Sequence, residues 1–119
     1  MTAKKHFHMA ALPLDKFDDK LELHRIVAKE MAIVYARFEK DGKHENITHS
    51  NEEFFYLIDG HMEAYVGKEK YELKNGDGLL IPPNEPHGFR ILKTSIALIT
   101  FAPPISHERA EEIKKEMKR

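Results

Sequence analysis

The 119-residue chain contains no cysteine, which excludes disulfide bonds and thiolate metal sites. It also lacks any apolar run of about 18 residues, the length that a membrane-spanning helix needs. Its 19 basic residues are balanced by 20 acidic ones, and this absence of positive excess argues against nucleic-acid binding. The short apolar stretch near the N-terminus is interrupted by Pro13 and Asp15, so it makes a poor signal peptide. We therefore expect a cytoplasmic protein with neither a membrane nor a nucleic-acid partner.

What the chain does contain is a series of short segments rich in β-branched and aromatic residues, separated by turn signals. We predict strands within residues 21–42, 53–58, 61–66, 69–73, 79–81, 87–92 and 95–101. The turns between them are predicted at Asp41-Gly42, at Asp59-Gly60 as a hairpin, and at residues 74–78, and Pro103 ends the series. Because no helices intervene, this spacing predicts an all-β antiparallel sandwich or barrel. The length suits one domain, which we expect to span residues 1–119.

The C-terminal segment has a different pattern, which predicts an α-helix over about residues 106–118. Ser106 can serve as its N-cap, and acidic residues precede basic ones in the order that complements the helix dipole. Ala110, Ile113 and Met117 form a narrow apolar stripe at helical spacing. The simplest interpretation is a surface helix that docks on the barrel, and the alternatives are a dimer contact or a lid.

Two polar residues in the stretch "HENITHSNEEFFYLIDG" are predicted to face the interior. If residues 47–57 are extended, His49 and Glu53 share a face with the apolar Phe55 and Leu57, and also with Ile47 and Asn51. A carboxylate facing an interior is costly unless it is paired, hydrogen-bonded or metal-bound. The pattern therefore places two metal-competent side chains where a metal would stabilise them.

A third candidate ligand, His87, follows a turn that contains three prolines and begins the next predicted strand. The prolines restrict several backbone torsions beside it and leave few amide donors. Taken alone, a histidine in such a position is more often a surface residue than a ligand.

Together these segments resemble the two sequence motifs of the cupin superfamily. The first motif is G-x5-H-x-H-x3,4-E-x6-G and the second is G-x5-P-x-G-x2-H-x3-N. The positions that match them are His49, Glu53 and Gly60 for the first motif, and Gly76, Pro82 and His87 for the second. The two motifs occur in the expected order within residues 42–91 and agree with the independent strand prediction.

The chain departs from these motifs at four positions. Ile47 stands where the first motif has a metal-binding histidine, and Ile91 stands where the second has asparagine. Asn84 replaces the glycine of the second motif, which is tolerable because asparagine adopts left-handed torsions at modest cost. Gly42 is one residue closer to the histidines than the motif requires. The resemblance therefore implies the fold more strongly than it implies a four-ligand metal site.

The resemblance implies a double-stranded β-helix, or jelly-roll, barrel over about residues 20–104. It further implies that His49, Glu53 and His87 hold a divalent metal ion, with iron, manganese, nickel and zinc as candidates. The barrel would act on or bind a small molecule, such as a sugar or an organic acid, and an enzyme of this kind would be a metal-dependent isomerase or dioxygenase. The alternative is a non-catalytic ligand-binding or vestigial barrel without metal. A homodimer is expected, and residues 6–14 could be its exchanged strand.

The other histidines are not predicted to be ligands. His44 lies at an odd separation from His49, so a regular strand turns it to the opposite face unless a bulge forms near Glu45-Asn46. His61 is expected to face solvent, and surface positions are also expected for His6, His8, His24 and His107.

Pocket residues can be predicted only from which side chains face inward. The apolar candidates are Phe55, Leu57, Ile81, Phe89 and Phe101, and the candidates for polar contacts are Tyr35, Arg37, Tyr56, Tyr65 and Arg90. The alternative is that the aromatic residues simply form the core.

Overall fold

The computed structural model describes residues 4–105 and 107–117. Within these ranges, a short 3-10 turn, Met9–Ala11, precedes eight strands and one helix, so residues 6–14 contain a turn where an exchanged strand was suggested. The elements in chain order are β1 (Asp15–Asp18), β2 (Leu21–Val27), β3 (Ala32–Phe38), β4 (Lys43–Ile47), β5 (Glu52–Val66), β6 (Glu69–Lys74), β7 (Gly78–Ile81), β8 (His87–Ala102) and α1 (His107–Met117). Within the described ranges, no helix is both long and apolar enough to cross a bilayer.

All strand pairs are antiparallel, and the two long strands β5 and β8 pair with each other over almost their whole length. The sheet order is β1-β2-β3-β8-β5-β6, while β4 also pairs with β8 and β7 also pairs with β5. The C-terminal half of β8 therefore lies beside β3, and its N-terminal half lies beside β4. Each long strand thus belongs to both walls of a rolled sheet, which confirms the predicted all-β jelly-roll barrel.

The pairing of the two long strands shifts register where Gly60 of β5 meets Ser95 of β8. Gly60 has a φ of +139°, and a Cβ placed on it would lie 2.0 Å from the Oγ of Ser95. The Ser95 hydroxyl accepts a hydrogen bond from the backbone N–H of His61 (3.2 Å) and donates one to the carbonyl oxygen of Lys93 (2.6 Å). The backbones can therefore approach this closely only because residue 60 has no side chain.

The continuity of these strands corrects two predictions made from turn signals. The prediction of a hairpin at Asp59-Gly60 was wrong, because β5 continues through these residues and its register with β8 shifts there. Residues 87–92 and 95–101 were predicted as two strands, but they form the single strand β8. A β-bulge and a hairpin both use glycine at a special backbone conformation, so the local sequence does not distinguish them. The turns predicted at Asp41-Gly42 and at residues 74–78 are confirmed.

The barrel interior contains the residues that alternation placed there. Ile47, His49, Asn51, Glu53, Phe55 and Leu57 are all buried, which confirms the predicted shared face. The rings of Phe55 and Phe89 stack with centroids 4.7 Å apart, and the Phe38 ring lies 5.8 Å from that of Phe55. Burial of these aromatic rings supplies a large part of the hydrophobic stabilisation of the barrel.

Helix α1 confirms the predicted C-terminal helix and docks across one end of the barrel. Ile113 is buried against the core, and the Arg109 guanidinium donates a hydrogen bond to the carbonyl oxygen of Thr48. Arg109 also pairs with Glu112, one turn further along the helix. The predicted N-cap Ser106 and the side chain of Met117 lie outside the described residues. The helix therefore packs against the barrel next to His49.

Candidate metal site and cavity

Three side chains that were predicted as metal ligands meet inside the barrel. His49 lies in the connection before β5, Glu53 lies near the start of β5, and His87 begins β8. The Nε2 atom of His49 lies 3.0 Å from Oε1 of Glu53, and the Nε2 atom of His87 lies 3.5 Å from the same oxygen. One potential ligand atom from each residue lies within 4.8 Å of the other two. We call these three residues the triad.

Local backbone contacts hold both imidazole rings in place. The Nδ1–H of His49 donates to the carbonyl oxygen of Asn51 (3.0 Å), and that of His87 donates to the carbonyl oxygen of Glu85 (2.9 Å). These bonds leave Nε2 facing Glu53: in a neutral ring it carries the lone pair, the usual arrangement for a metal-ligating histidine, and in a protonated ring it carries a hydrogen that the carboxylate accepts. Both Nε2 atoms then point at Glu53.

The two parts of the triad are also joined directly through the backbone. Asn84 has a φ of 63°, as expected for the residue that replaces a motif glycine, and its N–H donates to the His49 carbonyl oxygen (2.8 Å). The proline-rich turn that carries His87 is therefore attached to the connection that carries His49. This contact brings together segments that are distant along the chain.

The two histidines favour the ionised form of Glu53. The exposed fractions are 5% for His49, 3% for Glu53 and 4% for His87, so the carboxylate has almost no contact with bulk water. Burial alone would raise the pKa of Glu53, but hydrogen bonds from both histidines, and their charges, outweigh it and lower the pKa. Burial would lower the pKa of His87, but the hydrogen bond and charge of Glu53 outweigh it and raise the pKa. The positive charge beside Glu53 can be a proton on a ring or a divalent metal ion.

The donor set fits a divalent transition metal. Two imidazole nitrogens and one carboxylate oxygen suit iron, manganese, nickel and zinc, and they leave other coordination positions for water or a ligand. Ile47, at the position of the missing motif histidine, is buried and pairs in register with His87. Its side chain lines the same cavity as the triad and contributes no ligand.

The triad forms part of the wall of a cavity of about 120 Å³. Among the described residues, the other lining side chains are apolar except Arg25 and His44. The Arg25 guanidinium already pairs with Asp15 at 2.7 Å. Ala110 and Ile113 of α1 contribute to the wall, so the helix forms one end of the cavity. The space is suited to a small and mainly apolar molecule.

Only some of the predicted pocket residues line this cavity. Phe55, Phe89 and Phe101 line it as predicted, whereas Leu57 and Ile81 are buried elsewhere in the core. The predicted polar contacts were wrong, because these side chains lie on the outer faces of their strands: Tyr35, Arg37, Tyr56, Tyr65 and Arg90. Sequence alternation separates two faces but does not show which inward residues border an empty space.

His44 was predicted to face outward unless a bulge formed near Glu45-Asn46, and the structure contains this bulge. A bulge in β4, with Asn46 at a φ of 54°, reverses the alternation and turns His44 inward, where it is 3% exposed and lines the cavity. Its Nε2 atom lies 3.1 Å from Oδ2 of Asp18. The asparagine at position 46 was the available signal, because asparagine tolerates the left-handed conformation that a bulge can require.

The remaining described histidines are outside this site. His61 is half-exposed and bonds Glu72 at 2.9 Å, and His24 donates from Nδ1 to the carbonyl oxygen of Leu12 at 2.8 Å. His6 and His8 are exposed, as predicted, and the side chain of His107 lies outside the described part of the chain.

A family model described as a cupin domain matches residues 34–103. The structure is similar to that of KdgF from Halomonas sp., with a TM-score of 0.78 and 19% identity over 83% of this chain and 94% of the other. It is also similar to an RmlC-like cupin from Shewanella frigidimarina, with a TM-score of 0.78 and 22% identity over 91% and 97% of the two chains. An oxalate decarboxylase from Bacillus subtilis has a TM-score of 0.78 and 17% identity over 91% of this chain and 32% of its own. At these identities the likeness shows the fold.

An uncharacterized protein of Methanocaldococcus jannaschii is 34% identical over 65 residues. The aligned region covers 53% of this chain and 52% of that protein, so the chain spans about half the length of this curated relative. The single-domain boundaries at residues 1 and 119 stay a prediction.

Proposed function

Because the chain belongs to the cupin family and its barrel brings His49, Glu53 and His87 together, we propose that it holds a divalent metal ion and binds a small molecule beside it. The observation that carries the proposal is the orientation of the two imidazole rings. Backbone carbonyl groups hold both Nδ1–H groups, so both Nε2 atoms face one buried carboxylate oxygen. Such rings are already oriented for a metal before it binds.

In this proposal His49 and His87 are neutral ligands and Glu53 is the anionic ligand. Iron, manganese, nickel and zinc all accept this donor set. A bound ion would supply Lewis-acid chemistry to an oxygen of the small molecule. The chain itself orients the ligands, excludes water through the apolar wall, and covers the site with α1. If the protein is an enzyme, this arrangement suits the isomerase or dioxygenase type.

The ligand predicted from the sequence is a sugar or an organic acid. One protein of similar structure is named oxalate decarboxylase, and its name specifies a small organic acid as its substrate. This similarity supports an organic acid for the present chain. The small volume of the cavity restricts either class to compact members.

Metal binding can be tested on protein purified without a histidine tag and stripped with a chelator. Isothermal titration with each candidate ion at pH 7 should give one site per chain. His49→Ala should abolish it, and His61→Ala, which changes a half-exposed histidine on the outer surface, should leave it intact. Failure of all four ions to bind between pH 6 and pH 8 would contradict the proposal.

The second candidate function is a ligand-binding barrel that uses no metal, and Ile47 favours it. This residue occupies the position of a motif histidine and lines the cavity without offering a ligand atom. A thermal-shift screen of chelator-treated protein against sugars and organic acids separates the two functions. A compound that stabilises the metal-free chain, and whose binding is unchanged by added ions, supports the second.

The predicted homodimer is supported by an apolar patch on the outer face of the sheet. Phe54 and Leu80 are partners in register on β5 and β7, and they are 46% and 58% exposed. Tyr56 and Ile58 extend the patch along β5 and are also exposed. Light scattering coupled to size exclusion should therefore show a dimer that Phe54→Glu converts to a monomer. The cytoplasmic location also stays a prediction.

A further inference from the structure

The polar side chains of the cavity wall are gathered at one place. Among the described residues, five lining side chains are polar, and three of them form the triad. The other two already have partners outside the triad: the Arg25 guanidinium pairs with Asp15 at 2.7 Å, and Nε2 of His44 lies 3.1 Å from Oδ2 of Asp18. The triad is therefore the part of the wall that can hold a polar group of a bound molecule.

The wall becomes apolar directly beside the triad. The Phe101 ring lies 5.5 Å from the His49 ring between centroids, and the Phe89 ring lies 6.3 Å from the His87 ring, both in T-shaped arrangements. Ala110 of α1 also lines the cavity. A hydroxyl group against such a wall would lose its contact with water without gaining a partner, which is unfavourable. A molecule that fits this wall is therefore polar at one end only.

The charge of the proposed metal site limits the chemistry of that polar end. A divalent ion held by two neutral imidazoles and the Glu53 carboxylate retains one unit of positive charge. An unbalanced charge is costly among side chains as buried as these. A single carboxylate on the bound molecule makes the site neutral, whereas a neutral molecule leaves the imbalance and a dicarboxylate reverses it. The Arg25 cation is already balanced by Asp15.

The volume of the cavity limits the apolar end. An apolar cavity of roughly 150 Å³ accommodates benzene, and this one is about 120 Å³. The apolar body is therefore smaller than a benzene ring, with about four or five carbon atoms. A sugar carries a hydroxyl group on almost every carbon atom, so it has no apolar end to place against the aromatic wall.

We propose that the cavity binds a short aliphatic monocarboxylic acid, with its carboxylate at the triad and its hydrocarbon body against the wall that includes Phe89, Phe101 and Ala110. This inference rests on the proposed function, because the carboxylate balances the charge of the metal site. It selects the organic acid from the two ligand classes considered there, and it specifies one charge and no hydroxyl group. Sugars and dicarboxylic acids are excluded.

The test compares isovalerate with three compounds of closely similar skeleton. Isovaleramide removes the charge, β-hydroxyisovalerate adds a hydroxyl group to the body, and methylsuccinate replaces one methyl group with a second carboxylate. Titration calorimetry on the full chain loaded with zinc at pH 7 gives each dissociation constant. Isovalerate should bind at least about tenfold more tightly than each of the other three, because each of them leaves a charge or a hydroxyl group unbalanced in the cavity.

The charge argument also predicts that isovalerate binding depends on the ion. The chelator-treated chain should bind isovalerate at least about tenfold more weakly than the zinc-loaded chain, because the Glu53 carboxylate then faces the carboxylate of the ligand without the ion. Isovaleramide carries no charge, so its affinity should change much less.

A cavity-filling variant tests the location. Ala110→Leu places a larger apolar side chain in the cavity and should weaken isovalerate binding by on the order of tenfold or more. Its zinc affinity should be that of the wild type, which also shows that the variant is folded. The matched control is Glu111→Leu, which adds the same side chain at the neighbouring exposed position of α1 and should change neither affinity.

The zinc titrations separate this inference from the proposed function. If zinc binds but isovaleramide, β-hydroxyisovalerate or methylsuccinate binds as tightly as isovalerate, the inference is overturned and the metal site stands. Unchanged isovalerate affinity in a folded Ala110→Leu variant has the same meaning, and if that variant does not fold, the comparison of the four compounds in the wild type decides. A chain that binds none of the four candidate ions contradicts the proposed function and overturns this inference with it.

Discussion

Nε2 of His87 lies 3.5 Å from Oε1 of Glu53, on side chains that are almost completely buried. The two residues lie on different long strands, and their segments meet only because the sheet rolls up. Glu53 is thus held between His87 and His49, which lower the pKa of its carboxyl group. Several consequences of this arrangement and of the surrounding barrel can be measured.

Glu53→Gln should weaken metal binding by more than about 100-fold, because the loss of even an outer-shell partner typically costs 10–100-fold. The substitution preserves size and removes the anionic member of the proposed ligand set. Equilibrium dialysis at pH 7 measures the effect. Glu72→Gln is the matched control, since Glu72 also bonds a histidine, His61, but on the outer surface. Equal affinities of the Glu53 and Glu72 variants would show that Glu53 is not a ligand.

The metal-free protein should have its greatest triad-dependent stability between about pH 4.5 and pH 6.5. The lowered pKa of Glu53 contributes stability above its ordinary value of 4.5, and this is lost as the pH falls through the folded-state pKa. The raised pKa of His87 contributes stability below its ordinary value of 6.5, and this is lost as the pH rises through the folded-state pKa.

Urea denaturation of chelator-treated protein from pH 4 to pH 9 measures this dependence. In Glu53→Gln the dependence should largely disappear, because both shifts need the carboxylate. Metal should stabilise the protein increasingly above pH 6.5, because it competes with protons for the imidazole nitrogens. A metal-free stability that rises steadily from pH 6 to pH 8 would be inconsistent with a protonated His87.

Gly60→Ala should destabilise the barrel by at least about 2 kcal/mol, because the new Cβ would overlap Ser95 at a strained φ. Gly76→Ala is the matched control. Gly76 also has a positive φ, of +89°, but a Cβ there meets no atom within 4 Å. The free energy of unfolding of the control should fall by only about 1 kcal/mol, the expected cost of the conformation alone. Equal losses in the two variants would show that the contact with Ser95 is unimportant.

Ile113→Ala should lower the free energy of unfolding by about 2 kcal/mol, at the low end for a buried isoleucine because α1 is peripheral. The same change enlarges the cavity at the end where α1 packs against it. Chemical denaturation measures the loss. Lys115→Ala, at an exposed position of the same helix, should leave the free energy of unfolding unchanged. Equal stabilities of the Ile113 and Lys115 variants would mean that the packing of α1 does not stabilise the barrel.

Prediction from the sequence was most successful where a property is local. Alternation identified the inward face from Ile47 to Leu57, and helical spacing identified the docked face of α1 through Ile113. Motif spacing also selected His49, Glu53 and His87 before any geometry was known. Each of these results depends on periodicity or on residue order, and both are present in a single segment.

Prediction failed where contacts between distant segments decide the outcome. The Asp59-Gly60 pair predicts a hairpin, but pairing with β8 on both sides of Gly60 keeps β5 continuous. His44 was assigned to the outer face, but the pairing of β4 with β8 leaves a bulge that turns it inward.

The sequence by itself determined the fold class, the interior face and the three candidate ligands, because hydrophobic periodicity and motif spacing are properties of the chain. Only the tertiary structure decided that these three side chains converge, that His44 lines the same cavity, and that α1 packs against it. These features depend on how the two long strands, β5 and β8, pair along both walls of the barrel. This pairing depends on contacts throughout the sheet, and no single segment of the sequence specifies those contacts.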